Sequence, residues 1–375
     1  MKVAICSPSR YSTETFIRSH IDGIQADVTY YYGDVIPRRI EGEGLFSIDR
    51  SSLSIKNLFR VGMRINPIEL KKSNLSILEY LLARSLQRHK IDVVLAEYGT
   101  TGASILDACK WANIPLVTHF HGRDVSATEV IKTYHKKYTE LFRYCDSIIS
   151  VSSTMTDKLK CLGCPSDKIV YAPCCPDVSF SEIEPNIQSR CFVSIGRLTE
   201  KKAPYALLFS FKRALNHDNN FRLIIAGDGP LLGSCINIAK ILGIENNVSF
   251  PGDIGHDQVA EMLKNCRAYV QHSITAYDGD MEGTPVAIME AQAAGLPVIS
   301  TKHAGIQDVV INNTTGLLCE ELDIDSMAEN MITLMNDTSK AIQMGKRGKE
   351  RIASEFSKEW QMEVLTSTLK KASIK

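Results

Sequence analysis

Glu282 and Glu290 are two carboxylates separated by seven residues, and the residues between them predict the start of a helix. Thr284 is a favoured N-cap residue, and Pro285 suits the first helical position, where its missing N–H costs nothing. The free N–H groups and the positive dipole end of this helix would attract an anion such as a phosphate. A ligand with a sugar, a diphosphate and a ribose in line would therefore meet both carboxylates. The other interpretation is an ordinary βαβ crossover helix whose glutamates are only solvated.

Arg197 and Lys202 form a second group, in a segment that follows a predicted strand at 191–195. Loops at the carboxyl ends of strands are where α/β sheets bind ligands. The forked guanidinium of Arg197 and the point charge of Lys202 suit a diphosphate. In isolation both would be surface cations, but the helix start and the two glutamates in the same half of the chain favour a diphosphate site.

A third group comprises His119, His121, Arg123 and Asp124, which end or follow a predicted strand at 116–119. A single histidine is usually structural, so its position at the carboxyl edge of a sheet matters more than its type. This position makes the group a candidate for ligand binding.

Alternating strands and helices must position these groups. Strands are predicted at 2–7, 28–32, 92–97, 116–119, 147–151 and 169–171, and again at 191–195, 221–226, 248–250, 269–271 and 298–301. The pattern predicts an α/β fold with two Rossmann-like, doubly wound parallel sheets. The stretch 175–190 lacks periodicity and contains two prolines, which predicts a linker. The expected domains are residues 1–185 and 186–357.

Composition limits the class of protein. The chain has 375 residues, which favours two domains, and its 43 basic residues balance 43 acidic ones, so nucleic-acid binding is not expected. It has no apolar run long enough for a transmembrane helix, and its first residues are typical of a strand rather than a signal peptide. We therefore expect a cytoplasmic protein whose eleven cysteines are reduced.

One cluster of cysteines could supply four zinc ligands. It consists of Cys161, Cys164, Cys174 and Cys175. The adjacent pair is poor spacing for a zinc knuckle, and no histidine is near it in sequence. Ordinary cysteines at a helix end and a strand end are favoured, and no metal site is predicted.

The stretch 51–90 departs from the neutral balance of the chain, because basic residues outnumber acidic ones and apolar residues lie between them. Such a stretch can lie on an anionic membrane surface, here the inner face of the cytoplasmic membrane. The alternative is a pair of amphipathic helices with solvated basic side chains. The basic residues are Lys56, Arg60, Arg64, Lys71, Lys72, Arg84, Arg88 and Lys90.

Four segments, covering nearly the full chain, together resemble the group 1 family of retaining glycosyltransferases, family 4. Segment 121–124 resembles the histidine motif of the N-terminal domain, and 196–202 resembles the diphosphate clamp. Segment 225–231 resembles the second glycine turn, and 282–290 resembles the motif with two glutamates. The sequence is also similar to the branch that builds bacterial exopolysaccharide and colanic-acid-type chains.

The resemblance implies a GT-B fold, in which two Rossmann-like domains face a cleft. The C-terminal helix, at about 358–375, would pack back on the N-terminal domain. The nucleotide-sugar donor would bind the C-terminal domain, and a glycan or lipid-linked oligosaccharide acceptor would bind the N-terminal domain. No metal or other cofactor would be required.

The resemblance also implies roles for single residues. Arg197 and Lys202 would neutralise the leaving nucleoside diphosphate, and Glu290 would bind the ribose. Glu282 would hold hydroxyls of the donor sugar, which His121 would face from the other domain. The implied catalytic residues are His121, Glu282, Arg197 and Lys202. The implied donor-binding residues are Arg197, Lys202, Gly252, Asp253 and Ile254 (the last three beside the base), Gly283, Thr284, Pro285, Val286 and Glu290.

The expected activity is transfer of a hexose with retention of configuration, in surface or exopolysaccharide synthesis. An NDP-sugar 2-epimerase of GT-B architecture and a non-catalytic GT-B partner subunit are the alternatives. A dinucleotide oxidoreductase is not expected, because no Gly-x-Gly-x-x-Gly follows the first strand. Two loops, 7–11 and 173–178, depart from the family pattern, so the resemblance assigns them no role.

Overall fold

The computed structural model describes residues 1–10, 15–47 and 65–374, so the first part of the predicted membrane stretch lies outside the described residues. The chain forms two compact units. The first comprises residues 1–151, 155–172 and 359–375, and the second comprises 152–154 and 173–358.

The sheet of the first unit follows continuous apolar runs, as buried parallel strands do. Its described strands are β1 (Lys2–Cys6), β2 (Asp27–Tyr32), β3 (Arg39–Ile40), β4 (Gly44–Leu45), β5 (Val93–Glu97), β6 (Leu116–His119), β7 (Ser147–Ser150) and β8 (Ile169–Tyr171). They lie in the order β4-β3-β2-β1-β5-β6-β7-β8. Only the pairs β2–β3 and β3–β4 are antiparallel among these strands. The sequence does not predict β3 and β4, because strands of two residues show no periodicity.

Helices cover this sheet, and the C-terminal helix completes its core. They are α1 (Thr15–Gly23), α2 (Pro67–Ser73), α3 (Ile77–Arg88), α4 (Gly99–Ala112), α5 (Gly122–Ser126), α6 (Thr128–Tyr144), α7 (Ser153–Cys161) and, at the end of the chain, Lys358–Ser373. Leu365 and Leu369 of the C-terminal helix are fully buried in one cluster with Val3, Ile5 and Val93. Apolar burial of this kind is worth about 1.5–3 kcal/mol for each large side chain.

The second unit contains the other predicted parallel sheet. Its described strands are β9 (Cys191–Ile195), β10 (Arg222–Ala226), β11 (Val248–Gly252), β12 (Ala268–Val270), β13 (Val298–Thr301) and β14 (Gly316–Cys319). All are parallel, in the order β11-β10-β9-β12-β13-β14. The prediction of two parallel α/β sheets is confirmed. The predicted linker contains a 3₁₀ helix, Val178–Glu182, whose Phe180 is buried.

The helices of the second unit are α8 (Pro204–Leu215), α9 (Leu232–Ile241), α10 (His256–Lys264), α11 (Val286–Ala293), α12 (Ile306–Val309), α13 (Ile324–Asn336) and α14 (Thr338–Glu355), so the C-terminal helix is α15. Between α7 and β8 lies a 3₁₀ helix, Ser166–Lys168, and another, Glu200–Lys202, precedes α8. Within the described residues, no helix combines the length and apolar character needed to cross a bilayer.

Candidate active site

The second sheet reverses its strand order between β9 and β12, since β10 and β11 extend it on one side and β13 and β14 on the other. Open α/β sheets bind ligands at the carboxyl ends of strands at such a point. Gly196 follows β9 directly and has a φ of +146°, a conformation that favours glycine. The 3₁₀ helix Glu200–Lys202 then places two lysines after this turn.

Lys202 connects the loop after β9 to Glu282 and to Gln271, which follows β12. Its Nζ lies 3.1 Å from Glu282 Oε1 and donates to Gln271 Oε1 at 3.2 Å. The Lys202 and Glu282 side chains are only 18% and 7% exposed. Burial alone would raise the pKa of Glu282, but the charges of Lys202 and Lys201 outweigh it and lower that pKa. Burial lowers the pKa of Lys202, and Glu282 offsets part of that change.

Lys201 holds the same loop from the adjacent position. Its Nζ donates to Asp280 Oδ1 at 3.2 Å and to the carbonyl of Met281 at 3.3 Å. Two adjacent lysines therefore fix three consecutive residues, 280–282. The carboxylate of Glu282 is thus presented by an anchored loop, which favours a preorganised site.

His303 fixes the backbone of Glu282, and the sequence signals it only by its place after β13. His303 Nε2 accepts a hydrogen bond from the N–H of Glu282 at 3.1 Å. Its Nδ1 lies 2.6 Å from Glu321 Oε1, so Nδ1 carries the proton and donates to that carboxylate. The N–H of the next residue, Gly283, has no partner in the described part of the chain and can serve an anion.

Gly305 lies where the loop after β13 meets the loop that carries Glu282. Its N–H donates to the carbonyl oxygen of Gly283 at 3.1 Å, and a Cβ added at Gly305 would lie 2.0 Å from that oxygen. Gly305→Ala should therefore displace the Glu282 loop, lower the free energy of unfolding by about 1–3 kcal/mol and weaken nucleotide binding. Denaturant unfolding and nucleotide titration measure the two effects.

Gly233→Ala is the matched control for that substitution. Gly233 lies in α9, and an added Cβ there would meet no atom within 4 Å. Alanine is the better helix former, so this variant should keep its nucleotide affinity and gain up to about 1 kcal/mol of stability. Equal losses of affinity in both variants would contradict the role of Gly305.

The helix that carries Glu290 begins later than the sequence predicts. It starts at Val286, and Pro285 is its N-cap, with a ψ of 111° and no side-chain capping bond. The predictions of Thr284 as the N-cap and of Pro285 as the first helical residue are therefore wrong by one residue. The fixed φ of proline suits both positions, so local preference does not separate them.

Glu290 lies on the second turn of α11 and is half-buried. Burial raises its pKa to about 7, and the negative charge of Asp177 adds to this effect. Asp177 stays ionised, because its hydrogen bond from Lys358 at 2.9 Å lowers its pKa to about 2. Glu290 therefore changes its charge near neutral pH.

Arg197 is exposed, and the turn after β10 supports the loop that carries it. A Cβ added at Gly227 would lie 2.1 Å from the carbonyl oxygen of Gly196. One added at Gly229 would lie 2.5 Å from the carbonyl oxygen of Leu198. The two loops can approach this closely only because both turn residues are glycines.

The residues predicted beside the nucleotide base, Gly252, Asp253 and Ile254, end β11 and follow it. The carbonyl of Gly252 accepts a hydrogen bond from the N–H of Gly227 at 2.7 Å. Asp253 is exposed and Ile254 is half-buried. Gly227 contacts both Gly252, at the end of β11, and Gly196, in the loop after β9. The loop that follows β11 and the loop that carries Arg197 therefore lie at the same edge of the sheet.

In the first unit, the predicted histidine motif surrounds a carboxylate that its sequence context does not single out. Glu97 ends β5 and is fully buried, with Oε1 2.7 Å from His20 Nδ1. Its Oε2 lies 3.1 Å from His121 Nε2 and 3.3 Å from His119 Nδ1. Burial alone would raise the pKa of Glu97, but the histidines hold it well below its usual value. Burial lowers the pKa of His119 to about 4, so this imidazole is neutral.

Asp124, the last residue of the histidine motif, accepts hydrogen bonds from the backbone. Its Oδ2 accepts hydrogen bonds from the N–H of Gly99 at 2.8 Å and of His121 at 2.9 Å. Burial raises the pKa of Asp124, and these donors act in the opposite direction. Asp124 therefore fixes the backbone that carries His121.

His20, Glu97 and His119 are close enough to be considered as metal ligands, since their ligand atoms lie within 4.8 Å of one another. However, His20 Nδ1 and Glu97 Oε1 are 2.7 Å apart, which is a hydrogen-bond distance. Two ligands of a tetrahedral zinc ion lie about 3.3 Å apart. This donor set therefore fits a hydrogen-bond network rather than a metal.

The cysteines considered for zinc are all free thiols, as are the other seven of the eleven. Cys161 ends α7 and is exposed, whereas its neighbour Cys164 is buried. Among the described residues, the groups of close metal-ligating side chains do not contain Cys161, Cys164 or Cys175.

Comparisons with known proteins identify the family of this chain. Residues 179–351 match the family described as glycosyl transferases group 1, and residues 38–180 match glycosyltransferase family 4. WcaL of Escherichia coli K12, named as a glycosyltransferase of colanic acid biosynthesis, is 31% identical over 276 residues, which are 72% of this chain and 68% of WcaL. The amylovoran biosynthesis glycosyltransferase AmsK of Erwinia amylovora is 28% identical over 298 residues, or 76% and 72% of the two chains.

A solved structure shows the same fold. Anabaena HepE, crystallised with UDP and glucose, superposes with a TM-score of 0.79 at 17% identity. The match covers 99% of this chain and 100% of HepE.

Proposed function

Because this chain belongs to the group 1, family 4 glycosyltransferases and is itself a glycosyltransferase, we propose that it moves a hexose from a nucleoside-diphosphate sugar with retention of configuration. The observation that carries the proposal is the buried pair Lys202–Glu282, 3.1 Å apart at the reversal point of the second sheet. A cation for the diphosphate and a carboxylate for sugar hydroxyls are held side by side there. The donor binds the second unit, and the acceptor binds the first.

The chemistry of the leaving group supports this assignment. As the glycosidic bond breaks, negative charge develops on the diphosphate, and Lys202 and Arg197 stabilise it there. In the ligand-free chain, Lys202 is neutralised by Glu282. When the diphosphate arrives, it shares the ammonium group, and Glu282 turns to the hydroxyls of the sugar.

The acceptor is a glycan or a lipid-linked oligosaccharide of surface or exopolysaccharide synthesis. Support comes from two relatives, WcaL and AmsK, whose names refer to colanic acid and amylovoran. The base of the nucleotide donor can be identified by a direct measurement of nucleotide binding. Thermal unfolding with UDP, GDP or ADP should show one nucleotide that stabilises the protein, because a ligand that binds only the folded state raises its stability. If none of the three raises the melting temperature, the proposed donor class is wrong.

Glu290 gives nucleotide binding a predicted dependence on pH. Ribose hydroxyls donate to a carboxylate, so binding favours ionised Glu290, whose pKa in the free protein is about 7. Protonated Glu290 predominates below this pH, and the affinity for the nucleoside diphosphate should therefore rise about tenfold from pH 6 to pH 8. Calorimetric titration at several pH values measures this change.

The Glu290→Gln variant is the control, since an amide does not titrate. Ionisation of the nucleotide's own phosphate affects both proteins and cancels in the comparison. The variant should bind more weakly and lose the additional pH dependence. An identical pH dependence in both proteins would exclude the ribose role of Glu290.

Transfer requires no divalent metal in this proposal, because protein cations neutralise the diphosphate and the N–H of Gly283 donates a hydrogen bond to it. Activity should persist in excess chelator after dialysis. Loss of activity that added Mg²⁺ or Mn²⁺ restores would overturn this part of the proposal.

The first unit also docks on an anionic membrane surface through α2. Within this helix no residue is buried, and Ile68 is 69% exposed beside Lys71 and Lys72 of the last turn. Replacing Lys71 and Lys72 with glutamine should reduce flotation with anionic vesicles, since each basic residue near the surface contributes about 1 kcal/mol. The matched control replaces another adjacent exposed pair, Lys136 and Lys137 on α6. Equal flotation of both variants would exclude docking through α2.

A further inference from the structure

Glu321 lies in the turn between β14 and α13, and each of its carboxylate oxygens accepts a hydrogen bond. Its Oε1 is 2.6 Å from His303 Nδ1, and its Oε2 accepts from the N–H of Thr275 at 2.9 Å. The His303 ring is fully buried, whereas 34% of the Glu321 side chain is exposed. All three residues belong to the second unit. One carboxylate therefore joins the loop after β12 to the loop after β13.

Through His303, Glu321 also reaches Glu282, which lies further along the loop after β12. The backbone N–H of Glu282 can only donate, so His303 Nε2 has a lone pair and the ring proton lies on Nδ1. That proton is directed at Glu321. Glu321 thus holds the segment 275–282 at both ends, at Thr275 directly and at Glu282 through the histidine.

The middle of the segment 275–282 is also fixed. The N–H of Ala276 donates to the carbonyl of Asp280 at 2.9 Å, which closes the segment on itself. The N–H of Tyr277 donates to Glu200 Oε1 at 3.0 Å, in the 3₁₀ helix that carries Lys202. A loop with these internal contacts moves as one piece, so the release of either end would displace the Glu282 carboxylate.

The backbone next to Glu321 is held in an unusual conformation. Leu322 has a φ of +62°, in the left-handed region that residues other than glycine rarely adopt. Its N–H donates to Nε2 of the buried His272 at 2.8 Å. Burial lowers the pKa of His272 to about 4, so this nitrogen keeps the lone pair that accepts the bond. Backbone strain of this kind persists where surrounding contacts impose it, and it is concentrated at functional sites.

We propose that Glu321 is a positioning residue for sugar transfer, which fixes both ends of the segment 275–282 and so directs the Glu282 carboxylate at the donor sugar. The inference rests on the proposed function, because it concerns the role of Glu282 at the sugar. A carboxylate is required at position 321, since both of its partners are donors and an amide has only one acceptor oxygen.

Glu321→Gln tests the proposal with a side chain of the same shape. The amide turns its NH₂ group toward one of the two donors, so one end of the segment is released. The kcat/KM for the nucleotide-sugar donor should fall about 10- to 100-fold, because a displacement of about 1 Å at a reacting group can cost that much. The affinity for whichever of UDP, GDP and ADP binds should not decrease, because these ligands lack the sugar.

Glu320→Gln is the matched control. Glu320 is adjacent in sequence and exposed, and its Oε1 pairs with Lys302 Nζ at 2.7 Å. This variant should keep its kcat/KM. Equal kcat/KM values of the two variants would overturn the proposal. It would also be overturned if Glu321→Gln lost nucleotide affinity as strongly as it lost transfer, since that result indicates general disruption of the second unit.

Amide hydrogen exchange measures the release of the segment directly. The N–H groups of Thr275 and Glu282 both have acceptors in the unchanged protein. In Glu321→Gln at least one of them should exchange about tenfold faster, and in Glu320→Gln neither should change. General destabilisation would instead accelerate exchange throughout the second unit. Unchanged exchange at both positions would contradict the role of Glu321.

Nitrogen-15 NMR of the unchanged, histidine-labelled protein tests the hydrogen bonds without any variant of Glu321, and the signal lost in His303→Asn identifies His303. At about pH 8, above the usual titration range of histidine, the Nδ1–H tautomer is expected. A predominant Nε2–H tautomer would overturn the proposal even if Glu321→Gln did not fold.

The two hypotheses fail differently. A protein that transfers sugar equally well with Glu321→Gln contradicts only the role of Glu321. A protein that binds none of UDP, GDP and ADP contradicts the proposed function, whatever the tautomer of His303.

Discussion

Lys202→Ala is expected to lower kcat/KM for sugar transfer by about 10²–10³-fold, the usual cost of losing a group that stabilises developing charge. Lys202 contacts Glu282 at 3.1 Å in a site where both side chains are largely buried. Its removal takes away a cation for the diphosphate and leaves the Glu282 carboxylate without its partner. A buried charge that loses its partner costs about 3–5 kcal/mol, so the variant should also unfold more easily. Initial rates, nucleotide titration and denaturant unfolding measure the three effects.

Lys201→Ala is the matched control for Lys202→Ala. Lys201 is adjacent in sequence and also forms an ion pair, but with Asp280 at 3.2 Å. This variant loosens the loop and retains the Lys202 contacts to Glu282 and Gln271. We expect a smaller loss of activity and little loss of affinity for the nucleoside diphosphate. If both variants lose affinity equally, Lys202 has no special place at the diphosphate.

Glu282→Gln is expected to lower kcat/KM by about 10- to 100-fold, because hydrogen bonds to a charged group contribute about 1.5–3 kcal/mol. The affinity of this variant for the free nucleoside diphosphate should not decrease. This ligand lacks the sugar that we propose Glu282 to hold, and loss of the carboxylate leaves Lys202 free to bind phosphate. Affinity for the diphosphate should therefore stay constant or increase. Steady-state kinetics with the donor and titration with the diphosphate separate the two effects.

Glu290→Gln is the comparison for Glu282→Gln, because we expect it to reduce the affinity for the free nucleoside diphosphate. Its loss should weaken nucleotide and donor binding alike, since both ligands contain the ribose. If Glu282→Gln weakens nucleotide binding as much as Glu290→Gln does, the two glutamates are not divided between sugar and ribose. Full activity of both Lys202→Ala and Glu282→Gln would show that the site has been assigned wrongly.

Apolar patterning is sufficient to predict most of the fold. The strands at 116–119, 169–171, 191–195 and 298–301 have the predicted bounds, because short, mainly apolar runs between helical or turn segments are typical of strands. The sequence does not predict the β3–β4 hairpin, whose strands are too short to show a period. The N-cap is Pro285 rather than the predicted Thr284, because the fixed φ of proline suits both the N-cap and the first helical position.

The site is predicted only in part. Motif spacing groups Lys202 with Glu282, but it does not show that they form an ion pair, since that contact depends on how β9 and β12 lie together. Glu97 and His303 have no motif of their own. Their only signal is a position at or after the end of a buried strand, where functional side chains gather. Tertiary packing decides which of these side chains contact each other, and the local sequence does not predict those contacts.

The contact of Gly227 with Gly196 has a consequence for the design of chimeric enzymes. The loop after β9 and the turn after β10 are further joined by a hydrogen bond from the N–H of Leu198 to the carbonyl of Asp228 at 2.9 Å. The turn after β10 has no room for an added Cβ at Gly227 or Gly229, where it meets the loop after β9. A donor pocket grafted from another enzyme must therefore carry 196–202 and 227–231 together, because the two loops form one interchangeable part.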